Sequence, residues 1–336
     1  MQQIYSATKS FLANDDKGML AAADKARGIL NSPGVNPRTA ADYISSLSMY
    51  YVKAGLYDQA EETLLTPAVT DTELSIERLF RRQLQSEIAF GRGDTREARR
   101  LYMEHCTDIT SMVREHFTSL TSAERAGYWR MFSQQIQNAG RYAKGTDGPS
   151  EFAATVYDLE LFSKGLLLNS EHAIDRLISD TGDQALIGKY SMFRNISRSL
   201  KNAGTLSETE RSTRTEHAAR LEREILESCR EYGDFTTRLS SGWHDIHSVL
   251  NDNETAVEFV RYDDLERNHF IGATVLTPRL NLPVFIPLGE EAEIARSIEE
   301  DFDGSPLWDP ISPYIPAGGK VFFSPAGYLH RLPVES

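Results

Sequence analysis

The hydrophobic period of this 336-residue chain changes once, near Asn251, and that change limits the fold more than any single motif. Up to about residue 250, apolar residues recur three and four apart and β-branched runs are rare, the pattern of helices with one buried stripe. From about residue 254 the runs TAVEFVRY, FIGATVLTP, LPVFIPL and KVFFSP are short, rich in Val, Ile and Phe, and bounded by Pro, Gly, Asn or Asp. That is strand texture. EEAEIARSIEEDF, between the third and fourth runs, reads as a helix. The polar stretch NDNE at 251–254 marks the boundary. The expected architecture is therefore mainly α, with a helical domain over 1–250 and an α/β domain over 251–336.

The helical part contains a repeat. SMYYVKAGLYDQAEETL places Tyr51, Gly55, Tyr57, Ala60 and Leu64, and QSEIAFGRGDTREARRLY places Phe90, Gly93, Thr95, Ala98 and Tyr102. Gly55 to Ala60 and Gly93 to Ala98 are both five residues, and the glycines are 38 apart. That interval is near the roughly 34-residue period of tetratricopeptide helix–turn–helix units. Glycine suits the short turn between paired helices. Alanine suits their close approach, and such units stack because none buries its own apolar face. Further along, Ser207 to about Leu239 is heavily charged, with a narrow apolar stripe of Ala218, Leu221, Ile225, Leu226 and Cys229. It reads as a long amphipathic helix capped by Ser207 or Thr209.

A formal net charge of −13 argues against a broad basic face for nucleic acid. No run of 18 apolar residues suggests a membrane span, and the N-terminus lacks the pattern of a signal peptide. Two cysteines 123 residues apart, Cys106 and Cys229, form neither a disulfide framework nor a metal spacing, which suits a reducing compartment such as the cytoplasm.

Individual chemical candidates are sparse. His105 and Cys106 are adjacent, and neighbours on a helix point in different directions, so a seam position is expected rather than a reactive pair. Trp243, His244 and His247 form W-H-x-x-H. Two imidazoles at that spacing can begin a zinc site, which needs further ligands that nothing nearby supplies. Trp243 is expected instead to anchor the helical part against the strands. Ser163, Lys164 and Gly165 hint at a phosphate loop, but such a loop needs more glycines and a preceding strand. Lys164 is expected at the rim of a tight helix contact. Residues 290–309 carry eight acids and one arginine, either a solvated surface or a dock for a basic peptide. No metal or cofactor is expected.

Taken together, the helical repeats, LFSKGLLLNS (161–170), GWHDIHSVLNDNETAVEFVRY (242–262), LPVFIPL (282–288) and KVFFSPAGYLHRLPVES resemble bacterial proteins that join tetratricopeptide-like repeats to a CHAT domain. That domain is similar to caspases and separases. Trp243, Val249, Leu250, Ala256, Glu258, Phe259 and Val260 match the entry into its first core strand. Ser324, Pro325, Gly327, Leu329 and His330 match its strand–turn–strand motif, with Ala326 where the family usually has Asp. The resemblance implies a central strand, a turn and the start of a further strand here, with His330 as part of the fold signature. It also implies a caspase-like cysteine endopeptidase acting on a protein or peptide. The family's Cys–His dyad lies downstream of this motif. No catalytic residue is therefore carried over, and the dyad is expected on a C-terminal peptidase fragment or companion chain. The other reading is a protein-binding helical scaffold without enzymatic activity.

Overall fold

The computed structural model describes residues 2–13, 15–30, 32, 37–65, 76–117, 120–146, 148–201, 207–231, 241–264, 268–300 and 303–333. A mainly helical region precedes a mixed α/β region built on a small open sheet of four strands. The first helices are α1 (Gln2–Leu12), α2 (Asp16–Leu30), α3 (Pro37–Lys53), α4 (Tyr57–Leu64), α5 (Ile76–Gly91) and α6 (Thr95–Phe117). They pack as consecutive pairs. Both α3–α4 and α5–α6 turn on a left-handed glycine, Gly55 (φ 71°) and Gly93 (φ 83°). In each turn the next N–H reaches back five residues, Leu56 to Tyr51 O at 2.9 Å and Asp94 to Ala89 O at 2.9 Å. This satisfies the last carbonyls of the first helix, and only glycine adopts the required φ without strain. Ala60 and Ala98 are wholly buried, as are Tyr51, which donates to Asp24 at 2.7 Å, and Tyr102.

Next come α7 (Ser122–Ile136), α8 (Ala139–Ala143), the 31-residue α9 (Glu151–Thr181), α10 (Gln184–Lys201), α11 (Glu208–Glu231) and α12 (Trp243–Val249). Ser207 caps α11 through a reciprocal pair. Its Oγ accepts from Glu210 N at 3.3 Å, and Glu210 Oε2 accepts from Ser207 N at 3.0 Å. Ala218, Leu221, Ile225, Leu226 and Cys229 form the buried stripe of that helix. Its expected continuation to residue 239 lies outside the described residues.

The sheet has the order β3-β2-β1-β4, with β1 (Glu254–Asp263), β2 (His269–Leu276), β3 (Val284–Glu290) and β4 (Lys320–Ser324). β1–β2 and β2–β3 are antiparallel, and β4 lies parallel to β1, pairing Glu254–Glu258 with Lys320–Ser324. Both faces of β1 are covered, which is why its sequence runs apolar almost without alternation. Val257 and Phe259 face α13 (Glu291–Glu300), α14 (Ser305–Trp308) and the final turns, meeting Ile294, Ile298, Leu307 and Leu329. On the opposite face Val260, Tyr262 and Phe285 join one cluster with Phe132, Tyr142 and Phe152 of the helical region.

Two expectations for KVFFSPAGYLH change. Among the described residues β4 is an edge strand rather than a central one. Gly327–Arg331 is a short 3₁₀ helix, not the start of a further strand. The cause is one local backbone geometry and one contact from α13. Gly327 takes φ +55°, and the Tyr328 N–H that a strand would present to a neighbour is taken by Glu291 Oε1 at 2.6 Å. Leu329 is thereby turned into the core beneath α13, and His330 is left exposed.

Helix α8 touches β1 so closely that a Cβ on Gly140 would lie 2.3 Å from the Tyr262 ring. Gly140→Ala is expected to destabilise the protein by about 1–3 kcal/mol. Gly127, exposed in α7 with nothing within 4 Å of its would-be Cβ, should gain about 0.5–1 kcal/mol as alanine. Urea unfolding of the two variants checks both signs; equal effects would refute the close α8–β1 contact.

Candidate functional site

The richest polar constellation lies where α9 crosses β1 and β4. Residues 156, 159, 162 and 166 of α9 are buried in the helical core, while 157 and 161 belong to a second patch around Trp243. Lys164 sits between these stripes and reaches the sheet. Its Nζ donates to Glu258 Oε2 at 2.8 Å, to the Phe259 carbonyl at 2.8 Å and to the Ser324 carbonyl at 3.3 Å. An ammonium has three hydrogens, and these three acceptors use them all. Glu160, one turn earlier, adds a carboxylate at 3.3 Å.

Ser324 is the last residue of β4, so the ammonium lies at the carboxyl end of the parallel β1–β4 pair. Open α/β sheets tend to receive ligands beyond those ends. A cavity of about 250 Å³ adjoins the lysine, walled by Leu161, Phe162, Leu166 and Ser241 with Glu258 on its polar side. Two carboxylates share one ammonium here. Burial raises the Glu160 carboxyl above the ordinary range against the pull of Lys164, and the charge of Glu258 raises it further. The arrangement can hold one charged group firmly, bind a polar group in the cavity, and take up a proton at Glu160.

Trp243 completes the junction. It is buried among Ala154 and Tyr157 of α9, Ala256 of β1 and Leu276 of β2. Its backbone N–H donates to Asp158 Oδ1 at 2.6 Å. Burial raises the Asp158 carboxyl, and the Trp243 N–H opposes that rise. His244 stacks on the indole at 3.6 Å and His247 meets it edge-on at 6.0 Å. Both imidazoles thus pack on one ring, and no group of three potential metal ligands exists among the described residues.

The motif after β4 is held by residues that sequence patterns did not single out. Arg261 of β1 donates from Nε to Glu291 Oε2 at 3.1 Å, and the other oxygen of Glu291 takes the Tyr328 N–H. Tyr328 donates its hydroxyl to Glu299 at 3.0 Å. A Cβ on Gly327 would lie 2.1 Å from Glu291 Oε1 and 2.6 Å from Arg261 Cδ, so glycine is needed for space as well as for φ. Ala326 is buried. Of the 290–309 acids, Glu291 therefore works inside the fold, while Glu299 meets Tyr328 at the surface. The signal available in the sequence was their position at the start and end of the EEAEIARSIEE helix.

Neither cysteine is placed for nucleophilic chemistry. Cys106 and Cys229 are both 1% exposed, and burial pushes both thiols up, away from thiolate. His105, wholly buried beside Cys106, has its pKa lowered from 6.5 to about 4 by burial, with Arg82 acting in the same direction. A packed neutral imidazole is what α6 holds at this position.

Two measurements follow. Lys164→Met leaves Glu258 and two carbonyls without their donor and should cost about 3 kcal/mol in urea unfolding, part of it regained in Lys164→Met/Glu258→Gln. A loss below about 0.5 kcal/mol would refute the tie. For His105 the folded state binds its proton less readily than the unfolded chain. Its contribution is thus intact above pH 6.5 and lost as pH falls toward about 4. Between pH 7 and pH 5 the wild type should lose about 2 kcal/mol more than His105→Leu. Equal pH slopes in the two proteins would overturn this.

In comparisons with known proteins, the chain matches no family model, no curated protein and no solved structure, so its chemistry is read from the geometry above.

Proposed function

We propose that this chain is the recognition and regulatory portion of a caspase-like cysteine endopeptidase. In this reading the paired helices form tetratricopeptide-like repeats that meet a protein or peptide. The reactive Cys–His pair is carried by a further strand-bearing segment, of the same polypeptide or of a companion chain, that adds to the sheet at β4.

The observation that carries this reading is the open edge of β4. Lys320 donates its N–H to the Asn253 carbonyl at 2.9 Å, on the β1 side. Main-chain direction alternates along a strand, so Phe322 and Ser324 also face β1, while Val321 and Phe323 present their N–H and C=O groups outward. Their side chains meanwhile pack beneath the sheet with Trp308 and Tyr314. Phe322, on the other face, is 44% exposed, with the Lys320 ammonium 4.1 Å from its ring centre. A half-apolar strand with outward main-chain groups is a template for another strand. Lys164, bonded to the Ser324 carbonyl, gives the helical region a direct hold on that strand.

The second reading, a non-enzymatic protein-binding scaffold, accords with the packing of both thiols, as the first does. It uses the same edge.

The test is gentle purification of tagged protein from its own cells, as wild type and as Val321→Pro. The eluates are assayed on a denatured protein substrate with and without iodoacetamide. Proline at 321 removes an outward N–H and trims one partly buried side chain, but breaks no bond to β1. Thiol-dependent cleavage should travel with the wild type and be lost from Val321→Pro, whose circular dichroism stays helical. A companion chain without cleavage would support the scaffold reading; neither companion nor cleavage would overturn both.

A further inference from the structure

Away from the sheet, α9, α10 and α11 enclose a second cavity beside the start of α7. Its volume is about 400 Å³. That is within the size range of small-molecule sites. The floor is apolar: Ile174 of α9 and Ile225 and Leu226 of α11 are buried, and Phe193 of α10 packs against them. Three arginines line the polar side, Arg125 of α7 and Arg194 and Arg198 of α10, against two acids, Asp175 and Glu222.

The acids are already engaged. Glu222 Oε1 accepts from the Ser122 N–H at 2.6 Å, from the Ser122 hydroxyl and from Arg125 Nη2 at 3.2 Å. The start of α7 is therefore filled by a carboxylate of this chain. Asp175 accepts the Tyr190 hydroxyl and faces Arg194 Nη1 at 3.6 Å. Arg125 and Arg194 balance these two acids. Arg198 is exposed at the lining and forms no ion pair among the described residues. The lining thus carries one net positive charge in a chain whose overall charge is −13. An apolar cation would meet three guanidinium groups and two carboxylates that already carry partners of this chain. A single anionic head would meet Arg198, with Arg194 beside it, and leave an apolar body over Ile174, Phe193, Ile225 and Leu226.

We propose that this cavity binds a small amphipathic monoanion, an organic acid with one carboxylate or sulfonate head and an apolar body. Guanidinium matches the planar oxygen pair of a carboxylate and is less strongly hydrated than an ammonium, which suits a rim that borders an apolar floor. The apolar floor adds affinity without orientation, and the arginines set which end of the ligand lies outward.

The site is tested on the full chain with 1,8-anilinonaphthalene sulfonate, a monoanion whose fluorescence rises in apolar surroundings. Saturable binding near one per chain is expected. It should be displaced by dodecanoate below its micelle concentration and not by dodecyltrimethylammonium at the same concentration. Arg198→Glu, an exposed position, should weaken binding about tenfold or more, the scale of one charge-assisted contact replaced by repulsion. Arg220→Glu, on α11 outside the lining, should leave it unchanged. Binding that is unsaturable, equally displaced by the cation, or indifferent to Arg198→Glu would overturn the assignment.

Discussion

β1 has protein on both faces and a strand on each side, and much of the surrounding structure answers the demands of that burial. A strand so enclosed cannot leave a polar group to water. Glu258, pointing toward α9, is therefore met by an ammonium, and Thr255 donates its hydroxyl to the Tyr314 carbonyl at 3.0 Å. Close packing on the helical side requires Gly140 at the approach of α8 to Tyr262. On the other side, α13 and the 3₁₀ turn after β4 have to cover Val257 and Phe259, and the Arg261–Glu291 pair fastens that turn to the strand. Covering both faces also merges the helical core with one face of the sheet, so Val260 and Phe285 share a cluster with residues of α6, α7, α8 and α9.

Helix α9 links the features that bear on function. Its first turns pack on Trp243, its middle holds the sheet through Lys164, and its later turns supply Ile174 and Asp175 to the arginine-lined cavity. Eleven residues separate Lys164 from Asp175, about 16 Å along a helix. A single secondary element thus spans the proposed ligand site and the edge strand through which a partner is proposed to join.

What the sequence made legible was whatever depends on short-range pattern. The change of period near Asn251 separates helices from strands because each element buries a stripe or a face with its own repeat. Gly55 and Gly93 mark helix turns because their φ is set by local geometry, and Ser207 stands at a cap for the same reason. The unread features depend on residues far apart in the chain. Lys164 meets Glu258 across 94 residues, and Arg261 meets Glu291 across 30, so no local pattern announces either pair. For the SPAGYLH stretch the expected further strand comes from the family resemblance of the motif, not from a pattern in its residues. Its turn into a 3₁₀ helix depends on a carboxylate from α13. The acidic run reads as a surface because its count of charges does not reveal that Glu291 turns back toward Arg261 and the Tyr328 N–H, while Glu299 does stay exposed.

The partners of Lys164 have one more implication. Two of its three acceptors are main-chain carbonyls, which every residue type supplies. The side chains at 259 and 324 can therefore drift without loosening the bonds, provided the backbone stays in place. Covariation across relatives would pair position 164 with 258 and 160 and would say nothing of 259 or 324. What this lysine registers about β4 is where the strand lies, not what it is made of.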